Sequence, residues 1–347
     1  MSRIAIIGSG AWGTALAISL AQRGTERTDQ PPHSIALWSH TAAVAQAIAQ
    51  QRENRAYLPG YAVPASVTPT ADLAEALASA QLVIGVMPSA HVHAIYSKMA
   101  HLTSNPVIVS ATKGVISSAG EPSTYMRISE VIAAALAARQ LSLPLAVLSG
   151  PSFAQEVAAG RPTAMTIACA DTALAARLQD ELSGPALRLY TNDDVVGVEL
   201  GGALKNVIAI ATGIVNGLDL GHNSVAALIT RGIAEITRLA VACGGRRETM
   251  AGLAGLGDLV LTCTGDLSRN RQVGIELGKG RRLGDILDGM GGKVAEGVLT
   301  TRAALGLAKA RGIEMPITAQ VDAILHRGKS PREAVAELMR RPGKDEG

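Results

Sequence analysis

Short Val- and Ile-rich runs alternate with amphipathic segments over roughly the first 190 residues, and such alternation predicts an α/β fold built on a mainly parallel sheet with helices on both faces. After Asn192 the strand signals stop and helical periodicity takes over, so the second half reads as all-helical. A third observation anchors the first half: its opening run leads straight into three spaced glycines and then an apolar helical stretch. A chain of 347 residues is long enough for two cores.

Taken in order, RIAIIG, SIALWS, QLVIGVM, PVIVSAT, PLAVLSG, TAMTIAC and ALRLY read as strands, with helices between several of them. VGVELGGALKNVIAIATGIVNGL, VAALITRGIAEITRLAVACGG, TTRAALGLAKARG and SPREAVAELMRR carry helical periodicity. No low-complexity linker separates the two patterns, so the expected domains are 1–190 and 191–341, with a polar tail over 342–347.

Composition removes several classes. A net charge of +3 and 2% aromatic residues leave little to hold nucleic acid. Cys169, Cys243 and Cys263 lie far apart without a CxxC pair, which indicates neither a disulfide framework nor a zinc site and fits a reducing cytoplasm. The uncharged stretch from Ile4 to Gln22 could be taken for a signal peptide or membrane span, but its glycines argue otherwise, and no other stretch reads as long and apolar enough to span a bilayer.

RIAIIGSGAWGTALAISLAQRG has the form strand, G-x-G-x-x-G, helix, with Gly8, Gly10 and Gly13. Gly8 permits the tight turn, Gly10 lets backbone approach a pyrophosphate, and Gly13 lets the helix pack on the strand, the pattern of a Rossmann-type dinucleotide-binding domain. The anion would rest on the helix N-terminus. The second strand ends in Ser39 and His40 where an NAD-preferring protein usually places Asp or Glu. That departure favours NADPH or dual use, with a plain loop histidine as the alternative. The polar segment TERTDQPPH before this strand reads as a solvated insertion that leaves the register of the adenosine pocket open.

Ligands of open parallel sheets bind beyond the carboxyl ends of the strands, which selects VMPSAHV, ATKGV and SGPSFAQEV. Lys113 becomes a candidate cation, against a surface lysine. Gly150, Ser152 and Ala154 offer small size and backbone donors, Ser152 being equally readable as a helix N-cap. In the second half Lys205 is the one charge between Glu199 and Asp219, and its neighbours one helical turn away, Gly201, Gly202, Ile208 and Ala209, include no carboxylate. Asp258 and Thr262 would share a helix face. Ser268, Arg269 and Asn270 form a donor cluster suited to a phosphate, though an exposed turn explains SRNR nearly as well. Glu296 in VAEGV reads equally as a capping or surface carboxylate.

GSGAWGTAL, SATKG, SGPSFAQEVAAGRPTA, LGGALKNVIAIATG, ALITRG, AGLGDLVLTCT, SRNR, VAEGV and EMPI follow one another from Ile4 to about Glu333. In these motifs the sequence resembles the bacterial NAD(P)-dependent sn-glycerol-3-phosphate dehydrogenases, also called dihydroxyacetone-phosphate reductases. The resemblance implies a Rossmann-type domain followed by an all-α domain like the carboxyl-terminal domain of 6-phosphogluconate dehydrogenase. It also implies NADPH or NADH as cofactor, no metal, and a cytoplasmic enzyme that reduces a small phosphate substrate for glycerophospholipid synthesis.

On matching residues it places Lys205 at the catalytic lysine and Lys113 at a position touching both cofactor and substrate. Gly150, Ser152, Asp258, Ser268, Arg269 and Asn270 fall at substrate positions, and Asn206 and Thr262 are similar to polar residues around the substrate in related eukaryotic enzymes. Ala11, Trp12, His40 and Ala154 fall at cofactor positions beside the glycines, as do Arg269, Val294 and Glu296. A buried Lys205 would serve as general acid, with Asp258 placed to pair with it. Two other readings share this plan: a dehydrogenase of hydroxy acids, and a nucleotide-binding scaffold without chemistry. A helical second domain supports a possible homodimer by analogy.

Overall fold

In the computed structural model of the chain, residues 2–26, 33–99, 105–118, 121–290, 295–343 and 345 are described. The chain forms two compact units. Met1–Lys113 with Met126–Glu199 makes the first, and Gly114–Tyr125 with Leu200–Gly347 the second. Where the sequence reading draws one boundary near residue 191, these divisions fall at 113/114, 125/126 and 199/200.

The first unit is built on an eight-stranded sheet. Its strands are β1 (Arg3–Ile7), β2 (Ser34–Trp38), β3 (Val67–Thr70), β4 (Leu82–Gly85), β5 (Val107–Ser110), β6 (Leu145–Ser149), β7 (Thr163–Ala168) and β8 (Leu187–Asn192). They lie in the order β8-β7-β6-β5-β4-β1-β2-β3, parallel throughout except at β6 and β7. Every run read as a strand is present.

The added strand, β3, was missed because Pro69 sits in its middle; proline is tolerated on the sheet edge that β3 occupies. Ile4, Ile6, Leu37, Ile84, Val109, Leu148 and Ile167 are buried in these strands. Each such side chain contributes about 1.5–3 kcal/mol, and burial on both faces explains the unbroken apolar runs. Two small two-stranded sheets also escaped the pattern, the hairpin of Glu53–Asn54 with Leu58–Ala62, and Val115–Ser118 with Glu121–Arg127.

The chain runs outward from β1 through β2 to β3, then returns to place β4 on the other side of β1. The reversal makes the carboxyl ends of β1 and β4 a topological switch point, the place where open sheets bind ligands. Helix α1 (Ala11–Glu26) starts there, directly after the glycine turn. Residues 27–32 of the polar segment lie outside the described residues.

After Asn192 every regular element among the described residues is helical. Helix α2 (Val195–Gly217) begins in the first unit and continues into the second. By length and a mean hydropathy of 1.5 it is a candidate membrane span, which corrects the reading that no second stretch qualifies; that apolar window is wholly buried inside the protein. Glu199 in its second turn accepts hydrogen bonds from Arg127 Nη1 (2.6 Å), Ser129 N (2.8 Å) and Ser129 Oγ (2.5 Å). Burial pushes the Glu199 carboxyl up, and the Arg127 charge opposes it.

The second unit also holds α3 (Gly221–Ala242), α4 (Asp258–Thr264), α5 (Arg269–Gly278), α6 (Glu296–Ala310) and α7 (Pro316–Arg327). Helices α2 and α5 cross with backbone against backbone. A β-carbon on Gly274 would strike the Ile210 carbonyl, and one on Gly213 the Arg271 carbonyl.

Candidate active site

At the head of the first unit the three motif glycines have three different surroundings. Gly8 has φ +126°, and a β-carbon there would strike the Val86 carbonyl; only glycine fits both demands. A β-carbon on Gly13 would strike the Gly8 carbonyl, whereas one on Gly10 would meet nothing within 4 Å. The turn is therefore tight at its ends and open in its middle, which suits a bulky anion laid against backbone N–H groups at the start of α1. Ala11 and Trp12 follow in the first turn of α1, both partly exposed. His40, past the end of β2, is exposed and stands edge-on to Trp38 with ring centroids 6.4 Å apart.

At the ends of β5 and β6 three candidates come together. Lys113 Nζ and Ser152 Oγ both donate to the Gly150 carbonyl, at 3.2 and 3.0 Å, and Gly150 takes φ +136°. Ser152 does not cap a helix, because the five-residue helix Ala154–Ala158 has Phe153 at its N-cap. Beside them sits a residue that sequence reasoning passed over. Thr112 Oγ1 donates to the Met87 carbonyl (2.9 Å) and accepts from Met87 N (3.2 Å), tying together the loops that follow β4 and β5.

In the second unit Lys205 is 8% exposed on α2. Its Nζ donates to Asp258 Oδ1 and, at 2.8 Å, to Thr262 Oγ1. Asp258 and Thr262 do share one face of α4, one turn apart. The carboxylate missing around Lys205 on its own helix is thus supplied from 53 residues away, which offsets the cost of burying an ammonium. A π-helical turn, Leu253–Gly257, leads into Asp258, and such turns recur at functional sites.

The neighbouring Asn206 accepts from Asn270 Nδ2 (3.0 Å), whose own Oδ1 accepts from Gly297 N (3.0 Å). Ser268 is the N-cap of α5, its Oγ accepting from Arg271 N at 3.2 Å. SRNR is therefore the start of a helix rather than a turn after one. Arg269 is exposed; burial of its surroundings lowers its pKa and the Glu296 charge, at the start of α6, opposes that shift. Cys263, fully buried on α4, has its thiol pushed up to about 12, chiefly by burial. Val294 lies outside the described residues. Among the described residues no group of three or more His, Cys, Asp or Glu could hold a metal ion.

A parallel sheet headed by an open glycine turn, followed by helices that bury a lysine against a carboxylate, defines a class: dinucleotide-dependent dehydrogenases of two-part architecture. Family models sharpen it. The amino-terminal model of the NAD-dependent glycerol-3-phosphate dehydrogenases matches residues 3–175, and the carboxyl-terminal model residues 194–336. The chain belongs to this family, and is an oxidoreductase that works with a nicotinamide cofactor.

It is 62% identical to a glycerol-3-phosphate dehydrogenase [NAD(P)+] of Acidobacterium capsulatum, with 100% of each chain covered. It is 59% identical to one of Koribacter versatilis, covering 100% of this chain and 99% of the other. Among solved structures, a glycerol-3-phosphate dehydrogenase from Coxiella burnetii superposes with a TM-score of 0.89 at 41% identity, covering 98% of this chain and 99% of that one.

Proposed function

We propose that the protein catalyses the reversible, NAD(P)H-dependent reduction of dihydroxyacetone phosphate to sn-glycerol 3-phosphate in the cytoplasm, supplying glycerophospholipid synthesis. The observation that carries the reading is the buried Lys205 held by Asp258 and Thr262, in a chain 62% and 59% identical to relatives named glycerol-3-phosphate dehydrogenase [NAD(P)+]. The glycine turn, with Ala11 and Trp12, would hold the dinucleotide through its pyrophosphate. When bound, the nicotinamide supplies the hydride that a ketone carbon accepts.

Lys205 has the complementary task. An alkoxide developing on the ketone oxygen needs a proton, and Lys205 Nζ is a positioned donor whose orientation Asp258 and Thr262 fix. In the reverse direction the same amine takes the proton back. Arg269 presents a guanidinium suited to a phosphate, with Ser268 and Asn270 beside it on the first turn of α5. The Asn206–Asn270–Gly297 chain of hydrogen bonds keeps that turn in register with the Lys205 helix. At the end of β2 there is no carboxylate to repel a 2′-phosphate, which favours NADPH or use of both nucleotides.

The test is the loss of NADPH or NADH absorbance when purified protein meets dihydroxyacetone phosphate, repeated with Lys205→Ala. Wild type is expected to consume the cofactor. The variant is expected to turn over about 10²- to 10⁴-fold more slowly while its affinity for the dinucleotide stays nearly unchanged. Unimpaired turnover removes Lys205 from the mechanism. Activity with a hydroxy acid and none with dihydroxyacetone phosphate replaces the substrate.

A further inference from the structure

Gly8, Ser9 and Gly10 form the turn, yet backbone alone does not set which way each of its peptide groups faces. Asn54 does. Its Nδ2 donates to the Ser9 carbonyl at 2.8 Å and to Thr14 Oγ1 at 2.7 Å, and Thr14 Oγ1 donates to the same carbonyl at 3.3 Å. The opposite end of the amide, Oδ1, accepts from Tyr57 N at 3.3 Å. Both amide protons have acceptors and the amide oxygen has a donor, so the orientation of this side chain is determined by its partners. All of it is out of water, with Ser9 6%, Thr14 0% and Asn54 1% exposed.

The consequence follows from the geometry of the peptide bond. In a planar trans peptide the C=O and the N–H point in opposite directions. Holding the Ser9 carbonyl inward therefore turns the N–H of Gly10 away from that buried side, at a residue whose β-carbon would meet nothing within 4 Å. A flipped Ser9–Gly10 peptide would present a carbonyl oxygen there instead, the wrong charge for an anion. Such a flip rotates ψ of Ser9 and φ of Gly10, and Gly10, without a side chain, offers little steric resistance to it.

We propose that Asn54 is a positioning residue for dinucleotide binding, clamping the Ser9 carbonyl so that the Gly10 N–H is presented to the pyrophosphate. This rests on the reading of the glycine turn as the pyrophosphate cradle. Asn54 arrives from a hairpin 45 residues further along the chain, touches the turn only from its buried side, and is invisible to the G-x-G-x-x-G spacing.

The experiment is Asn54→Ala, titrated calorimetrically with NADH, with ADP-ribose, which keeps the pyrophosphate, and with adenosine, which lacks it. A hydrogen bond to a charged group is worth enough that NADH and ADP-ribose should both weaken by about tenfold to a hundredfold, while adenosine binds as in wild type. Equal weakening of adenosine means the substitution has merely loosened the unit, and unchanged binding of all three means the clamp is not needed; either overturns the proposal. Thr14→Val, which removes one of the two donors to Ser9 and keeps the other, should show the same split at smaller size, and it decides the question should Asn54→Ala fail to fold. Wild-type protein that binds no dinucleotide would instead remove the cradle reading itself.

Discussion

The two units build their candidate sites from different materials. In the first, the site is backbone: a turn whose glycines have no side chains to offer, held open at Gly10 and braced from beneath by Asn54. In the second it is side chains, a buried ammonium answered by a carboxylate and a hydroxyl from another helix. A backbone site tolerates change wherever space remains and fails where the chain has no room. A buried ion pair fails whenever one partner is taken away. Substitutions should therefore separate the units by what they lose, binding in one and folding stability in the other.

The largest stability effect belongs to the ion pair. Asp258→Asn leaves the Lys205 ammonium buried without its counter-charge, and the expected loss is about 3–5 kcal/mol in a urea unfolding titration. Replacing both partners, Lys205→Met with Asp258→Asn, should recover much of that loss, since no uncompensated charge then remains. A single variant as stable as wild type would mean that water or a neighbour already screens Lys205, and the contrast between the units would weaken.

Glycine supplies the next test. Gly274→Ala drives a methyl group into the Ile210 carbonyl where α5 crosses α2, and overpacking of this kind costs about 1–3 kcal/mol. Gly10→Ala enters open space and should leave stability within about 0.5 kcal/mol, yet weaken the dinucleotide by occupying the place where it lies. Measured side by side by urea unfolding and by NADH titration, the two alanines should show opposite profiles. A Gly10→Ala protein that binds NADH normally would show that the open side of the turn is not the side that is used.

The same contrast explains what the sequence disclosed. Backbone sites announce themselves by spacing, so the glycine turn and the order of the apolar strands were legible, as was the oddity of a lone lysine in an apolar helix. Asp258 and Thr262 could be placed on one face because both lie within one helical turn. What joins them to Lys205 is tertiary, across 53 residues, and no local pattern carries it. The same holds for Asn54 beneath the turn and for Glu199 receiving Arg127 and Ser129 from about 70 residues earlier. The segment Gly114–Tyr125 belongs to the second unit, though in sequence it falls between strands of the first and nothing in its composition marks it. SRNR is ambiguous in a subtler way, as donor cluster or exposed turn: the serine that ends a turn and the serine that caps a helix look alike until the chain beyond it is seen to coil.

The smallest predicted effect concerns a carboxyl away from the Lys205–Asp258 pair, Glu235 on α3, 1% exposed. It accepts hydrogen bonds from Ile317 N (2.9 Å), Thr318 N (2.9 Å) and Thr318 Oγ1 (2.6 Å), closing the N-terminus of α7, where Pro316 takes the first helical position. Burial raises its pKa above the ordinary 4.5, and the Thr318 and Ile317 donors and the Arg238 charge oppose that rise. A carboxyl whose pKa is higher folded than unfolded holds its proton more tightly when folded, so its contribution to stability is fully present below about pH 4.5 and is lost as pH climbs through the elevated folded value. Glu235→Gln keeps the size and one acceptor oxygen but cannot titrate. The melting-temperature advantage of wild type over this variant should therefore be larger at pH 4 than at pH 7. If the advantage grows toward neutral pH instead, the three donors at the head of α7 outweigh desolvation. The second unit would then stabilise a buried carboxylate by backbone dipoles, the device the first unit is proposed to use for a ligand.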